Sequence, residues 1–122
     1  MAASGIPEPN NSHALQAMEM AKAMLSYINS IKTTNSKKVK IRIGMHSGSI
    51  VAGVIGKKKF VYDLWGNTVN IASRLEAYGK AGEIHISKEL MKLLKGHYKF
   101  ERCGMKEYKG VGKIDTYRLL IN

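Results

Sequence analysis

Apolar side chains recur at helical spacing through Ala14, Met18, Ala21, Leu25 and Ile28, one core-facing stripe that predicts a helix from His13 to about Ile31. Ahead of it, Met1 to Asn11 carries Pro7, Pro9 and adjacent asparagines without periodicity. That stretch reads as a loop, with Asn11 or Ser12 capping the helix. The polar run Thr33 to Lys37 ends it. The period then changes: Val39, Ile41, Ile43 and Met45 alternate with Lys38, Lys40 and Arg42, as in a strand covered on one face. Gly44 and Gly48 mark a bend or bulge near its end.

Ile50 to Ile55 is almost continuously apolar and predicts a buried strand, followed by a basic turn at Lys57 to Lys59. Phe60 to Trp65 is aromatic and β-branched, a further strand. Gly66 breaks it, Asn67 or Thr68 can cap, and Ile71, Leu75 and Tyr78 share one face of a helix that Gly79 stops. A short strand at Glu83 to Ile86 precedes a helix capped by Ser87, with Leu90, Met91 and Leu94 inward and Gly96 as its stop. Two or three strands follow, around Tyr98 to Cys103, Met105 to Tyr108 and Thr116 to Ile121. Helices interleaved with strands give an α/β or α+β sandwich. At 122 residues this is one domain or part of one.

Charge narrows the partners only coarsely. With 20 Lys plus Arg against 9 Asp plus Glu, the net charge of +11 attracts nucleic acid, anionic membrane surfaces or a polyphosphate. Scattered lysines also serve as a plain solvated surface. No apolar run approaches the roughly 20 residues of a spanning helix. No basic-apolar-small signal peptide opens the chain, and the single Cys103 has no internal disulfide partner. Both point to the reducing cytoplasm, alone or as the cytosolic part of a larger protein.

Several chemistries fall away. His13, His46, His85 and His97 lie far apart without a second ligand at zinc spacing. Cys103 lacks a histidine at a family spacing and Ser47 sits in no nucleophile elbow. In Gly53-Val-Ile-Gly56-Lys57 the first glycine is too close for a phosphate-binding loop, and Lys58 stands where Ser or Thr should hold magnesium.

The strand-turn-helix at 60–79 is more informative. Asn70 and Arg74 lie one turn apart on one helix face, beside Ile71 and Leu75. Spacing alone also admits an ordinary polar outer face, with Arg74 paired to Glu76 or another carboxylate. Likewise KGVGK at 109–113 alone admits a basic β-turn. The wider pattern goes further. IRIGMHSGSIVAGVIG, VYDLWGNTVNIASRLEAYG, GEIHIS and EYKGVGKIDTYRL occur in that order over residues 39–120, and together they resemble the catalytic domain of class III adenylyl and guanylyl cyclases. The opening MAASGIPEPNNSHA resembles that family's segment just after its second metal-binding motif.

The resemblance implies an α+β fold: a ferredoxin-like sandwich with a central, mostly antiparallel sheet and helices. Here 1–12 would be loop, 13–32 helix, and 38–122 the sheet and helices of the nucleotide-binding half-site. It implies two catalytic domains paired head to tail, as a homodimer or heterodimer, with each site between them. Asn70 and Arg74 match the Asn and Arg of the family's NTVNxASR motif, the amide orienting the ribose and the guanidinium stabilising phosphate charge during ring closure. Lys109 matches the lysine of a KGKG-like motif, here KGVG, that reaches the β- and γ-phosphates. Asp63 falls where adenylyl cyclases carry an acceptor for the adenine amino group; a carboxylate there would face the O6 acceptor of guanine, which favours ATP.

The same resemblance implies two ions, Mg2+ or Mn2+. Their aspartates belong to segments N-terminal to anything present here, so they would lie outside this chain or on the partner domain. Asp63 and Asp115 are the only aspartates, and neither matches a metal position. The family's first sheet strands would be missing too. The implied reaction converts ATP to 3′,5′-cyclic AMP and pyrophosphate. Alternatives are an incomplete or regulatory cyclase-like domain that binds nucleotide without turnover, a guanylate cyclase, or a basic nucleic-acid-binding module sharing only the fold.

Overall fold

A computed structural model describes residues 1–5, 11–31, 39–48, 51–55, 61–65, 67–108 and 110–120, with backbone alone for 51–55 and 61–65. The first helix, α1, spans His13–Ser30 and buries Ala14, Met18, Ala21 and Leu25, the stripe its periodicity predicts. Ser12 stands at the N-cap, but its hydroxyl makes no capping bond; its carbonyl accepts from Gln16 N at 3.0 Å.

The strand predicted from Val39 is shorter than its pattern. β1 covers only Ile43–Met45 and runs parallel to β4, Ile84–Ser87, with Ile43 opposite Ile84. Alternation outlasts the pairing: Ile41, Ile43 and Met45 all pack on the core, whereas Val39 stays 45% exposed. β2, Val51–Ile55, and β3, Val61–Trp65, form an antiparallel two-stranded sheet of their own, with Gly53 opposite Asp63. The basic turn expected at Lys57 to Lys59 lies outside the described residues.

α2 spans Asn67–Ala77 and α3 spans Lys88–Leu94. As predicted, Ser87 caps α3, its Oγ accepting from Leu90 N at 3.3 Å. The same hydroxyl lies 2.5 Å from Nδ1 of His46 and so ties the end of β1 to the start of α3. Burial holds the His46 imidazole below its ordinary range, against the smaller opposing pull of Glu89, so it is neutral at pH 7. β5, Phe100–Tyr108, and β6, Gly112–Leu119, complete a four-stranded sheet of order β1-β4-β6-β5, antiparallel except for β1 with β4.

The two sheet faces feed separate cores. Ile84, Ile86 and Leu119 meet α1 and α3 through Met18, Leu25, Leu90 and Leu94. Ile114, an odd number of positions from Leu119, points to the other face, where it meets Leu75 of α2 and Tyr108. β5 serves both cores because its register shifts. Arg102 pairs with Tyr117 but Gly104 pairs with Thr116, leaving Cys103 as an extra, bulged residue. The sequence pattern splits this stretch into two strands around that point; hydrogen bonding makes it one. Phe100 therefore packs with the first core and Tyr108 with the second.

On the α2 face Arg118 bridges Glu83, at 3.0 Å, and Glu101, while His85 Nε2 lies 2.9 Å from Glu83. Burial alone would raise the Glu83 carboxyl, but hydrogen bonds from His85 and Arg118 together outweigh it and hold it low. Among the described residues no helix is long and apolar enough to cross a membrane.

Candidate functional site

Only residue 66 separates β3 from α2, so the strand that carries Asp63 leads almost directly into the helix that carries Asn70 and Arg74. That helix is seated by a glycine. A Cβ on Gly44 would come 2.1 Å from Glu76 N, 2.6 Å from the Leu75 carbonyl carbon and 2.7 Å from Ala72 O. All three are backbone atoms, so the helix axis lies hard against β1. The expected bend or bulge at Gly44 is thus corrected: β1 pairs regularly through it, Gly44 opposite His85, and the glycine is there for close approach. Gly48 does fall in a bend just past β1, as its pattern predicts, and there a Cβ would meet the side-chain Oγ1 of Thr68 at 2.6 Å.

With Leu75 only 1% exposed and Ile71 half-buried against the second core, the helix turns Asn70 outward and leaves Arg74 half-buried. The two are about 6 Å apart along the axis. Glu76, the alternative partner for Arg74, is instead 3.2 Å from Arg42 Nε. Neither Asn70 nor Arg74 is held by another side chain among the described residues. An amide and a guanidinium thus project side by side from a rigid base, free to meet a ligand.

The helix ends differently from its pattern. Tyr78 continues the hydrogen bonding, N to Arg74 O at 3.0 Å, but is 55% exposed instead of joining the core. Its ring stacks on Tyr108, centroids 5.2 Å apart and planes at 19°. Tyr108 is 5% exposed, and burial pushes its hydroxyl above the usual range, keeping it protonated. Tyr108 O accepts from Val111 N at 3.1 Å and closes a turn in which Gly110 has φ +81, a left-handed value that glycine adopts freely. Lys109 belongs to that turn by sequence and lies outside the described residues, as does the side chain of Asp63. The stack escaped sequence reasoning: the period of α2 placed Tyr78 on the core face, and nothing in the spacing joined it to Tyr108.

Enclosed space lies elsewhere. A cavity of about 640 Å³ opens on the other flank of α2, lined by His13, Ala17, Met45, His46, Thr68 and Leu93, and neither Asn70 nor Arg74 reaches it. By volume it suits a small molecule, whereas Asn70 and Arg74 stand apart from it on the open face of α2. A smaller hollow of about 280 Å³ lies under Ile71, Val111 and Ile114.

No group of three His, Cys, Asp or Glu among the described residues is placed to hold a metal. Asp115 is 11% exposed and takes a 3.0 Å hydrogen bond from Arg102 Nε, while Asp63 sits in the other sheet. These residues do not fit a two-ion seat.

A profile of the adenylate and guanylate cyclase catalytic domain matches residues 1–121. The chain belongs to that family. The cyclase domain is 41% identical over 123 residues to the receptor-type guanylate cyclase gcy-28 of Caenorhabditis elegans, covering 98% of this chain and 10% of that protein. It is 33% identical over 120 residues to an adenylate cyclase of Mycobacterium tuberculosis, covering 98% of this chain and 27% of the relative. Among solved structures it resembles the guanylate cyclase domain of RhGC from Catenaria anguillulae in complex with GTP, with TM-score 0.89 and 38% identity, over 98% of this chain and 65% of that one. The expected α+β cyclase fold is therefore present. Because relatives of both kinds match, membership establishes a nucleotidyl cyclase domain and leaves the purine open. The chain spans well under half the length of either curated relative.

Proposed function

We propose that this cyclase domain supplies the nucleotide-binding and transition-state half of an adenylate cyclase site, which converts ATP to 3′,5′-cyclic AMP and pyrophosphate between two head-to-tail domains. The observation that carries it is the Asn70–Arg74 pair, unengaged among the described residues, on a face of α2 whose base is locked to β1. Attack of the ribose 3′-oxygen on the α-phosphorus loads negative charge onto phosphoryl and leaving oxygens, and a fixed guanidinium stabilises that charge. Arg suits the task because its planar fork gives two parallel hydrogen bonds and stays protonated. Asn70 orients the ribose, and Lys109 takes the β- and γ-phosphates. The open half-site accords with a pocket that a second domain closes.

Asp63 makes the reading specific for ATP. Its carboxylate accepts from the adenine amino group and would oppose guanine O6, and a site built to pair with one substrate group rejects analogues lacking it. Asp63→Cys is expected to erode the preference for ATP over GTP by at least about tenfold in kcat/KM. An unchanged ratio for the two nucleotides would remove Asp63 from the purine pocket.

The 122 residues alone are expected to make no cyclic nucleotide with magnesium or manganese, since neither of their two aspartates matches a metal position of the family and no group among the described residues is placed to hold a metal. Activity should appear when the chain is paired with a cyclase domain that retains the metal aspartates but lacks this Asn and Arg. Turnover by the purified chain alone would show the metal site misplaced; a silent pair would count against the half-site assignment. On the single-cysteine argument we place the domain in the cytoplasm.

A further inference from the structure

We infer that the layer formed by α1 and α3 is a docking face for an anionic membrane surface. α3 buries Leu90 and Leu94, and at 100° per residue Lys88 and Lys92 stand on the side of the helix away from them. Both are exposed, as are Lys95 at the C-cap and Lys99 beyond it. Lys22 joins them from α1: its Nζ lies 4.9 Å from the centre of the Tyr98 ring, and Tyr98 is bridged to Lys95. Five ammonium groups thus share one continuous surface. Against them the two helices carry two carboxylates, Glu89 and Glu19, and Glu19 lies 3.4 Å from the Tyr98 hydroxyl that donates to it.

Among the described residues every ion pair is made by an arginine or a histidine and none by a lysine, so the fold leaves these five charges without a counter-ion. Lysine is a strongly hydrated point charge, suited to a diffuse anionic plane and less to bidentate reading of single phosphates. Nucleic acid fits this face less well. Tyr98 packs on the core with Lys22 over its ring, and so offers no free face on which a base could stack. The cytoplasmic leaflet is an anionic plane, and each lysine held near it strengthens binding about fivefold. α1 and α3 cover the first core and α2 the second, so a domain seated through this layer keeps Asn70 and Arg74 on the side away from the lipid.

The test is co-sedimentation of the full chain with phosphatidylcholine vesicles that contain or lack phosphatidylserine. The triple variant Lys88→Gln/Lys92→Gln/Lys95→Gln is compared with Lys40→Gln/Lys80→Gln/Lys113→Gln, which removes the same three charges from exposed positions outside the layer. The unsubstituted chain should bind only the serine-containing vesicles, and more weakly as salt rises. The first triple should weaken that binding about a hundredfold and the second no more than about threefold, with melting temperatures alike. Should the first triple melt early, Lys92→Gln alone should still cost about fivefold. Binding that ignores phosphatidylserine, or equal losses in the two triples, would overturn the docking face, since net charge and not its placement would then be at work. Tighter binding to a DNA duplex than to the vesicles, lost in the first triple alone, would overturn it in favour of nucleic acid.

Discussion

Arg74→Ala is expected to lower kcat by about two to three powers of ten in an active dimer, with KM for ATP changing far less. In the proposed role a guanidinium held on α2 would meet its full negative charge only as the ring closes, so its loss should fall on the transition state more than on the bound substrate. The variant is clean for a structural reason. Glu76 is already engaged by Arg42, so removing Arg74 orphans no carboxylate, and Leu75 keeps the helix seated. Arg74→Lys should recover only part of the rate, because a point charge replaces a fork. Steady-state kinetics with a melting curve on the same samples decide it. Parallel losses in binding and turnover, or a lowered melting point, would argue that Arg74 only anchors substrate or fold.

The largest effect on stability is expected at Gly44. Its missing Cβ leaves room for three backbone atoms of α2 within 2.7 Å, and backbone cannot swing aside as a flexible side chain can. Gly44→Ala must push the helix off β1 or distort the strand, at a cost of about 3 kcal/mol, a large share of the roughly 5–15 kcal/mol that holds a domain together. Gly96→Ala is the useful contrast: φ is +96 and nothing lies within 4 Å, so the cost should be only the left-handed backbone term of about 1 kcal/mol. Urea unfolding followed by circular dichroism measures both. Similar midpoints for the two variants would mean that α2 yields easily, and Asn70 and Arg74 would then lack the rigid base argued for them.

Much of this was legible in the chain. The buried stripe of α1, the Ser87 cap of α3 and the alternation at Ile41, Ile43 and Met45 follow from local periods, which are properties of single elements. What escaped were relations between elements. β1 is shorter than its pattern because its pairing starts at Ile84, and a period carries no information about where a partner begins. Gly44 looked like a bend because a sequence does not show what lies opposite a glycine. Tyr78 obeyed the helical period yet sits where the helix leaves the core, so its ring found Tyr108 instead. For the site, the family motif and not periodicity singled out Asn70, Arg74, Asp63 and Lys109. The structure added the seating of the first two and the engagement of Glu76 elsewhere.

The extra residue at Cys103 gives β5 two parities. Counted from Phe100, even steps belong to the α1 and α3 side until Arg102, and beyond the bulge the assignment inverts, which is how Tyr108 comes to lie under α2. Gaining or losing one residue between them would restore a single parity and carry Tyr108, with the turn that follows it, to the wrong side of the sheet. A change of two would leave it in place. Side chains at the exposed positions Met105 and Glu107 are open to exchange, but the number of residues between Phe100 and Tyr108 is not. The placement of Tyr108 under α2 is thereby stored as a count along the chain, so that in this family member tolerance to substitution and tolerance to insertion should part company along β5.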